Sequence, residues 1–313
     1  MRAGNPPQTF NGHLEVAVRT IVSPVELGRS ENEDNYLLVD GNGLARFMLD
    51  QQDTHRQLEN WPRGHSRLAV LDGMGGHSFG REATERTVLG MLAIPATRKL
   101  EDWSACLDSL HQQLHDEMHD GSAEPGCTLT ALEIPPRGPA LLFHVSDSRL
   151  YRIGEHSVDC LTVDHVPATK FALRGLLNED EWHWQVHEQS GYQISQAFIL
   201  GNTLSDPTLY DQHLDSGLYP LHDGNLPPFL QGLGDRRNLC LEPGVVYLLA
   251  SDGLWNLNRP HEFVRRWPQI LGRDQRPVKA LLDDLFVELI LTASADSHVR
   301  GDNTTVIAFR WYP

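Results

Sequence analysis

Basic residues are scarce in this chain: 26 lysines and arginines stand against 42 aspartates and glutamates, a formal net charge of −16 over 313 residues. Such an imbalance disfavours nonspecific binding to nucleic acid or to anionic membranes, since both need an electropositive face. No nucleic-acid partner and no membrane partner is therefore expected. Cysteine is scarcer still. Cys106, Cys127, Cys160 and Cys240 lie far apart with no CxxC pair, so neither a zinc ribbon nor a disulfide framework is indicated, and free thiols in a reducing cytosol are expected. Long apolar runs are also missing. The opening stretch MRAGNPPQTFNGHLEVAV has no uninterrupted apolar segment, and no later run approaches the ~18 residues of a membrane span. A soluble, cytoplasmic protein, monomeric in solution, is the expectation.

With 40% hydrophobic residues the chain can bury a sizeable core. Strand-like runs are LEVAVRTIV, YLLVD and RLAVLD, then short segments near 127–134, 140–146, 149–154 and 158–163, then VVYLLAS and the closing TTVIAFRW. Helical patterns fall near 80–94, 102–119, 261–270 and 277–294, while the polar stretch 41–66 carries no periodic signal. Short strands in succession predict antiparallel sheets. Residues 165–240 are rich in turn formers and read as surface loops or a flap. Because acids of interest occur on both sides of that region, residues 1–313 are expected to form one domain.

Those acids are the strongest signal. Glu33-Asp34, Asp72-Gly73, Asp147, Asp252-Gly253 and Asp302-Asn303 each lie at or beside the end of an apolar run. A carboxylate at the edge of a core loses hydration worth several kcal/mol unless something neutralises it. An oxygen-rich, sulfur-free set suits hard divalent cations such as Mg²⁺ or Mn²⁺. A carboxylate-bridged metal pair polarises a phosphoryl group and activates a water for in-line attack, so no protein nucleophile is needed. Arg29, in the same turn as Asp34, offers a planar fork for phosphate oxygens.

The segments GRSENEDN (28–35), LAVLDGMGGHSFGREA, GCTLT, HVSDSRLY, LTVDH, LLASDGLW and GDNTTVI resemble, in order and over nearly the whole chain, the metal-dependent protein phosphatase family of the 2C type, in its bacterial-like branch. The resemblance implies an α+β fold, a four-layer α-β-β-α sandwich of two antiparallel sheets flanked by helices, with a metal centre at one edge. It implies that Asp72 bridges two Mn²⁺ or Mg²⁺ ions, that Asp252 and Asp302 complete the first site, and that Glu33 and the Gly73 carbonyl serve the second. Arg29 then holds the substrate phosphate, Asp34 hydrogen-bonds the attacking water, and Asp147 with Asp252 could hold a weaker third ion. The activity implied is serine/threonine phosphoprotein hydrolysis in signalling, with phosphoserine or phosphothreonine proteins as substrates and an opposing kinase.

The chain departs from the family pattern at four places. Met74 stands where eukaryotic relatives have a histidine, Ser146 where GDSR has glycine, Gln196 where TRALG has arginine, and Asn256 where some relatives have aspartate. Met74 and Ser146 keep open a pseudophosphatase that binds phosphoproteins without turnover, and a small-molecule phosphate hydrolase is a third option. Gly76-His77-Ser78-Phe79-Gly80 matches the GxSxG nucleophile elbow. It would leave the acids at 33, 147, 252 and 302 unexplained, and three residues separate its first glycine from the strand-ending Asp72. His111, His115 and His119 share one helical face, either as a metal site or as a solvated face beside Asp108, Asp116 and Asp120. Trp182 and Trp184 read as loop packing or as a substrate contact.

Overall fold

The computed structural model describes residues 13–26, 29–74, 79–119, 124–189, 193–204, 215–272, 275–296, 299 and 301–312. Gly28, Asp120 and most of the GxSxG match, including Ser78, lie outside them. In chain order the strands are β1 (Leu14–Ile21), β2 (Asn35–Val39), β3 (Leu44–Leu49), β4 (Gln52–Gln57), β5 (Ser66–Leu71), β6 (Gly73–Met74), β7 (Gly126–Cys127) and β8 (Leu129–Ile134). They continue with β9 (Ala140–Val145), β10 (Arg149–Ile153), β11 (Val158–Cys160), β12 (Gln196–Ala197), β13 (Gly201–Asn202), β14 (Arg236–Leu239), β15 (Val246–Ala250) and β16 (Thr304–Trp311). The helices are α1 (Phe79–Ala93), α2 (Leu100–Met118), α3 (Pro167–Leu173), α4 (Glu179–His183), α5 (Pro260–Val264) and α6 (Val278–Ser294).

Two antiparallel sheets result, one in the order β1-β16-β15-β10-β11 and one in the order β14-β9-β8-β5-β2-β3-β4. Strands β2, β5, β8 and β9 are buried at every residue, as expected of strands covered on both faces. One face of the seven-stranded sheet sends Tyr36, Leu38, Leu68, Val70, Leu132 and Leu142 against Leu150, Tyr247, Leu249, Ile307 and Phe309 of the other sheet. Its opposite face, through Leu37, Phe47, Leu71 and Phe143, packs on Met91, Trp103 and Leu107 of α1 and α2. The five-stranded sheet likewise buries Leu248, Ala250, Val306 and Ala308 under α5 and α6. The layers are therefore α-β-β-α, the architecture expected from the sequence.

Two regions differ from expectation. The polar stretch 41–66 contains the β3–β4 hairpin. Its outer strand, QDTHRQ, is almost wholly exposed, and a polar, charged edge strand resists edge-to-edge pairing while carrying no apolar alternation to read. The loop region 165–240 holds α3 and α4, a small core of Val163, Val166, Ala168, Ala172, Trp182, Val186, Leu221, Leu226 and Leu230, and the edge strand β14 paired to β9. Trp182 is buried there and donates its indole N–H to Thr169 Oγ1 at 3.0 Å, which is packing; Trp184 is exposed. Asn178 opens α4 with a reciprocal capping box to Glu181.

Candidate metal centre

All the acids singled out in the sequence come together where strand ends of the two sheets meet. Asp72 follows β5 and is gripped on both sides by Thr128, whose Oγ1 accepts the Asp72 N–H at 2.8 Å while its own N–H reaches the Asp72 carbonyl at 2.8 Å. Gly73 must be glycine: a Cβ there would fall 2.4 Å from the Gly80 carbonyl oxygen and 2.6 Å from that of Glu33. Asp252 begins a turn after β15. Its neighbour Gly253 lets that turn press on the residues entering β16, since a Cβ would lie 2.0 Å from the Asn303 carbonyl oxygen.

Two polar residues beside the acids fix the rest. Asn303 accepts the Glu33 N–H at 2.8 Å and donates to the Val22 and Glu31 carbonyls, both at 2.8 Å, stapling the Glu33 turn to the start of β16. Ser251 donates to Asp34 Oδ2 at 2.6 Å and accepts the Thr305 N–H at 2.9 Å. Sequence reading named Asn303 only as part of a dipeptide and missed Ser251, although both adjoin an acid in the quoted motifs.

The crowding is electrostatically costly. Burial, offset in part by the Ser251 hydroxyl, pushes the Asp34 carboxyl up to about 7. Burial and Asp302 push Asp252 up to about 7, and burial with the Asp252 charge pushes Asp147 up to about 8. Asp72, within hydrogen-bonding reach of Asp34 and Asp252, lies well above the carboxylate range through burial and the charges of Asp34, Asp252, Asp302 and Asp147. Arg29 supplies positive charge: its Nε contacts Asp302 Oδ1 at 2.8 Å and its Nη1 lies 3.6 Å from Glu33. Burial works against the guanidinium charge, but Asp302 and Glu33 outweigh it and hold Arg29 above its usual range.

Among the described residues no three histidine, cysteine or acidic side chains close on a single point as a finished metal cage. The donor set nevertheless fits divalent ions. It consists of carboxylate oxygens, it repels itself strongly, and Asp34 Oδ1 and Asp252 Oδ1 are buried without a hydrogen-bond partner, leaving oxygens that a hard cation satisfies. The histidine trio behaves otherwise. His111 accepts the Ile199 N–H at Nδ1 (2.8 Å) and donates from Nε2 to the Ser216 carbonyl (2.5 Å), tying α2 to the β12–β13 hairpin. His115 and His119 stack on each other at 4.1 Å.

These shifts set the sign of a pH effect. A carboxyl raised in the fold favours the native state below its unfolded pKa, near 4, and loses that contribution as pH climbs through its folded value. Buried His144, pushed down to about 3 chiefly by burial, acts oppositely, but only up to its unfolded value near 6.5. His111, His119 and His187, lowered likewise by burial, act in the same sense as His144, and because that contribution is nearly complete above about pH 6.5 the acids outweigh the histidines between about pH 6.5 and 8. Chelated protein should therefore melt at a lower temperature at pH 8 than at pH 6.5, and added Mn²⁺ should stabilise it more at the higher pH. Melting curves at both pH values with and without Mn²⁺ check this; a chelated protein more stable at pH 8 contradicts it.

No family model matches the chain. A Streptococcus pyogenes serotype M6 protein named for the protein phosphatase 2C type is 26% identical over 276 residues, covering 84% of this chain and 92% of that one. Protein phosphatase PhpP of Streptococcus pneumoniae is 30% identical over 173 residues, 52% of this chain and 67% of that protein. Among solved structures, the S. agalactiae serine/threonine phosphatase superposes with a TM-score of 0.64 at 19% identity, covering 96% of this chain and 100% of that one. The PstP catalytic domain in complex with two manganese ions superposes with a TM-score of 0.56 at 20% identity, covering 96% and 99%. At such identities the structural likenesses speak for the fold.

Proposed function

Because the chain belongs to the protein phosphatase 2C-type family, we propose that it is a metal-dependent serine/threonine phosphoprotein phosphatase whose two Mn²⁺ or Mg²⁺ ions are held by the acids gathered around Asp72. The observation that carries the reading is the convergence of Asp34, Asp72, Asp147, Asp252 and Asp302, with Glu33 joined to them through Arg29. Asp72 would serve both ions, Asp252 and Asp302 one, and Glu33 with the Gly73 carbonyl the other. Asp147 with Asp252 would hold a weaker third. The bound ions supply Lewis acidity, which polarises the phosphoryl group and lowers the pKa of the attacking water.

The chain's own residues do the rest. Asp34 has Oδ2 taken by Ser251, so Oδ1 is the atom able to accept a hydrogen bond from the attacking water and orient it. Arg29 binds the phosphate oxygens and balances charge that grows on them in the transition state. Met74 offers no proton, so the leaving serine or threonine oxygen takes one from water or from another group. The reading treats the chain as one domain, supported by the core shared between its sheets, and implies a kinase that installs the phosphate. A non-hydrolytic scaffold finds no support in a site that keeps and groups every acid. The direct test is hydrolysis of a phosphothreonine peptide and an aryl phosphate, which should require Mn²⁺ or Mg²⁺ and stop with chelator. Inactivation by a serine-directed fluorophosphonate would instead favour Ser78.

Arg29 separates phosphate binding from metal binding. Since it is ion-paired to Asp302 and Glu33, Arg29→Ala removes a cation that competes for ligand oxygens, so Mn²⁺ affinity should hold or rise while turnover falls. Losing a bidentate charge-assisted contact costs on the order of 2 kcal/mol, about 30-fold. Lysine should restore only part, because a point charge lacks the fork. Wild-type kcat/KM in Arg29→Ala would mean that another cation holds the phosphate.

A further inference from the structure

Ser146 is a buried, non-glycine residue with φ +84°, a conformation that strains an L-residue and persists only where its surroundings impose it. Those surroundings are unusually specific. The Ser146 N–H donates to His165 Nδ1 at 2.7 Å, and the Ser146 carbonyl accepts the His165 N–H at 2.9 Å. On its far side the imidazole donates from Nε2 to Asp235 Oδ2 at 3.0 Å. The same carboxylate oxygen accepts the Leu221 N–H at 2.7 Å, and the Asp235 carbonyl accepts the His144 N–H at 3.0 Å. The His144 ring stacks on His165 with centroids 5.3 Å apart and planes 15° apart, and is itself held by Thr130 and the Val163 carbonyl. With Nδ1 receiving an amide proton, the ring is confined to the Nε2–H tautomer. All three side chains are buried, and the next residue after Ser146 is Asp147.

We propose that His165 and Asp235 are positioning residues that hold Ser146 in its left-handed conformation and thereby aim Asp147 at the metal centre, making the affinity of the weakest ion depend on the 221–235 segment. This rests on the reading of Asp147 as a ligand. It assigns a buried Asp-His pair, neither member of which adjoins an acid of the site in sequence, to the geometry of one metal ligand. Partners of this kind, one bond removed from a ligand, are typically worth about 10–100-fold in metal affinity or activity.

Two substitutions at one position separate the bonds. His165→Asn places an oxygen near Nδ1 and keeps an acceptor for Ser146, whereas His165→Gln keeps a donor near Nε2 for Asp235 and loses that acceptor. Mn²⁺ binding is followed by the paramagnetic resonance of the free ion, alongside phosphopeptide turnover against Mn²⁺ concentration and melting in chelator. His165→Gln should weaken the weakest binding event about 10–100-fold, with His165→Asn, which keeps the acceptor for Ser146 and loses only the tie to Asp235, weakening it less. Adding Ser146→Gly to His165→Gln should restore binding, because glycine adopts φ +84° with no steric cost. A role confined to global stability would lower the melting temperature without this acceptor dependence. Equal losses in the two histidine variants, losses in neither, or no rescue by glycine overturns the proposal. Should both histidine variants fail to fold, Asp235→Ala, which removes the acceptor for His165 Nε2–H, must weaken the weakest binding event, and wild-type Mn²⁺ binding by it overturns the proposal. A wild type that binds two ions with no weaker event removes the role of Asp147 but leaves the phosphatase reading standing; a wild type that binds no ion removes both.

Discussion

Asp72→Ala should bind neither ion of the pair and should lose phosphopeptide turnover by more than about 10³-fold, exceeding the ~10²–10³ typical of one lost transition-state donor. The reason is position: Asp72 interacts with Asp34, Asp147, Asp252 and Asp302 together, and in the proposed reading it is the acid that serves both ions. A second consequence has the opposite sign. In chelator the wild-type side chain is a crowded acid held well above its usual range by burial and four like-charged neighbours, so its removal relieves repulsion and metal-free Asp72→Ala should melt above the metal-free wild type. Asp252→Asn should chiefly weaken one site. Calorimetric Mn²⁺ titration with melting in chelator reads both effects, and unchanged stoichiometry in Asp72→Ala would remove the basis of the ligand assignment.

The largest stability effect is expected far from the acids, at the opposite end of β5. Glu133 receives Arg67 Nε at 2.7 Å and Arg67 Nη2 at 3.1 Å, contacts His65 Nε2 at 2.9 Å and accepts the Thr97 N–H at 3.1 Å, with all three charged or titratable side chains fully buried. Arg67 also caps the Ile94 carbonyl at 3.0 Å and lies over Trp61 and Trp103. Burial opposes the Glu133 charge, but Arg67 and His65 outweigh it and hold the carboxyl below its usual range. Glu133→Ala strands a guanidinium in the core, which costs about 3–5 kcal/mol. Replacing both partners with apolar residues, Arg67→Met with Glu133→Leu, should recover part of the loss, since no charge is then stranded although His65, the Thr97 N–H and the Ile94 carbonyl lose a partner. Urea unfolding of the single and double variants measures this; a single variant within about 1 kcal/mol of wild type would mean that water or another group takes the place of Glu133.

What the sequence shows is what depends on neighbours in the chain. The acids were legible because each lies within two residues of an apolar strand, Asp72, Asp147 and Asp252 after β5, β9 and β15, Glu33-Asp34 and Asp302 before β2 and β16, and because charge at a core edge demands a reason. The buried strands were legible for the same cause. The β3–β4 hairpin was not, because an edge strand packs on one side only and its residues are polar. The small core around Trp182 was missed because its members come from segments as distant as Val163 and Leu230, none with a period of its own. Ser146, noticed as a departure, gave no hint of the His165 and Asp235 pair, since a left-handed residue and a hydrogen bond spanning 70 positions leave no local pattern.

One titration reaches the central claim. Metal-free wild-type protein, shown folded by its melt, is titrated with Mn²⁺ in a calorimeter, and phosphothreonine-peptide hydrolysis is measured on the same samples. The account predicts no turnover before metal is added, two tight binding events, and activity that rises with their occupancy and vanishes with chelator. Hydrolysis that persists in chelator, or two bound ions with no hydrolysis at any concentration, would contradict it.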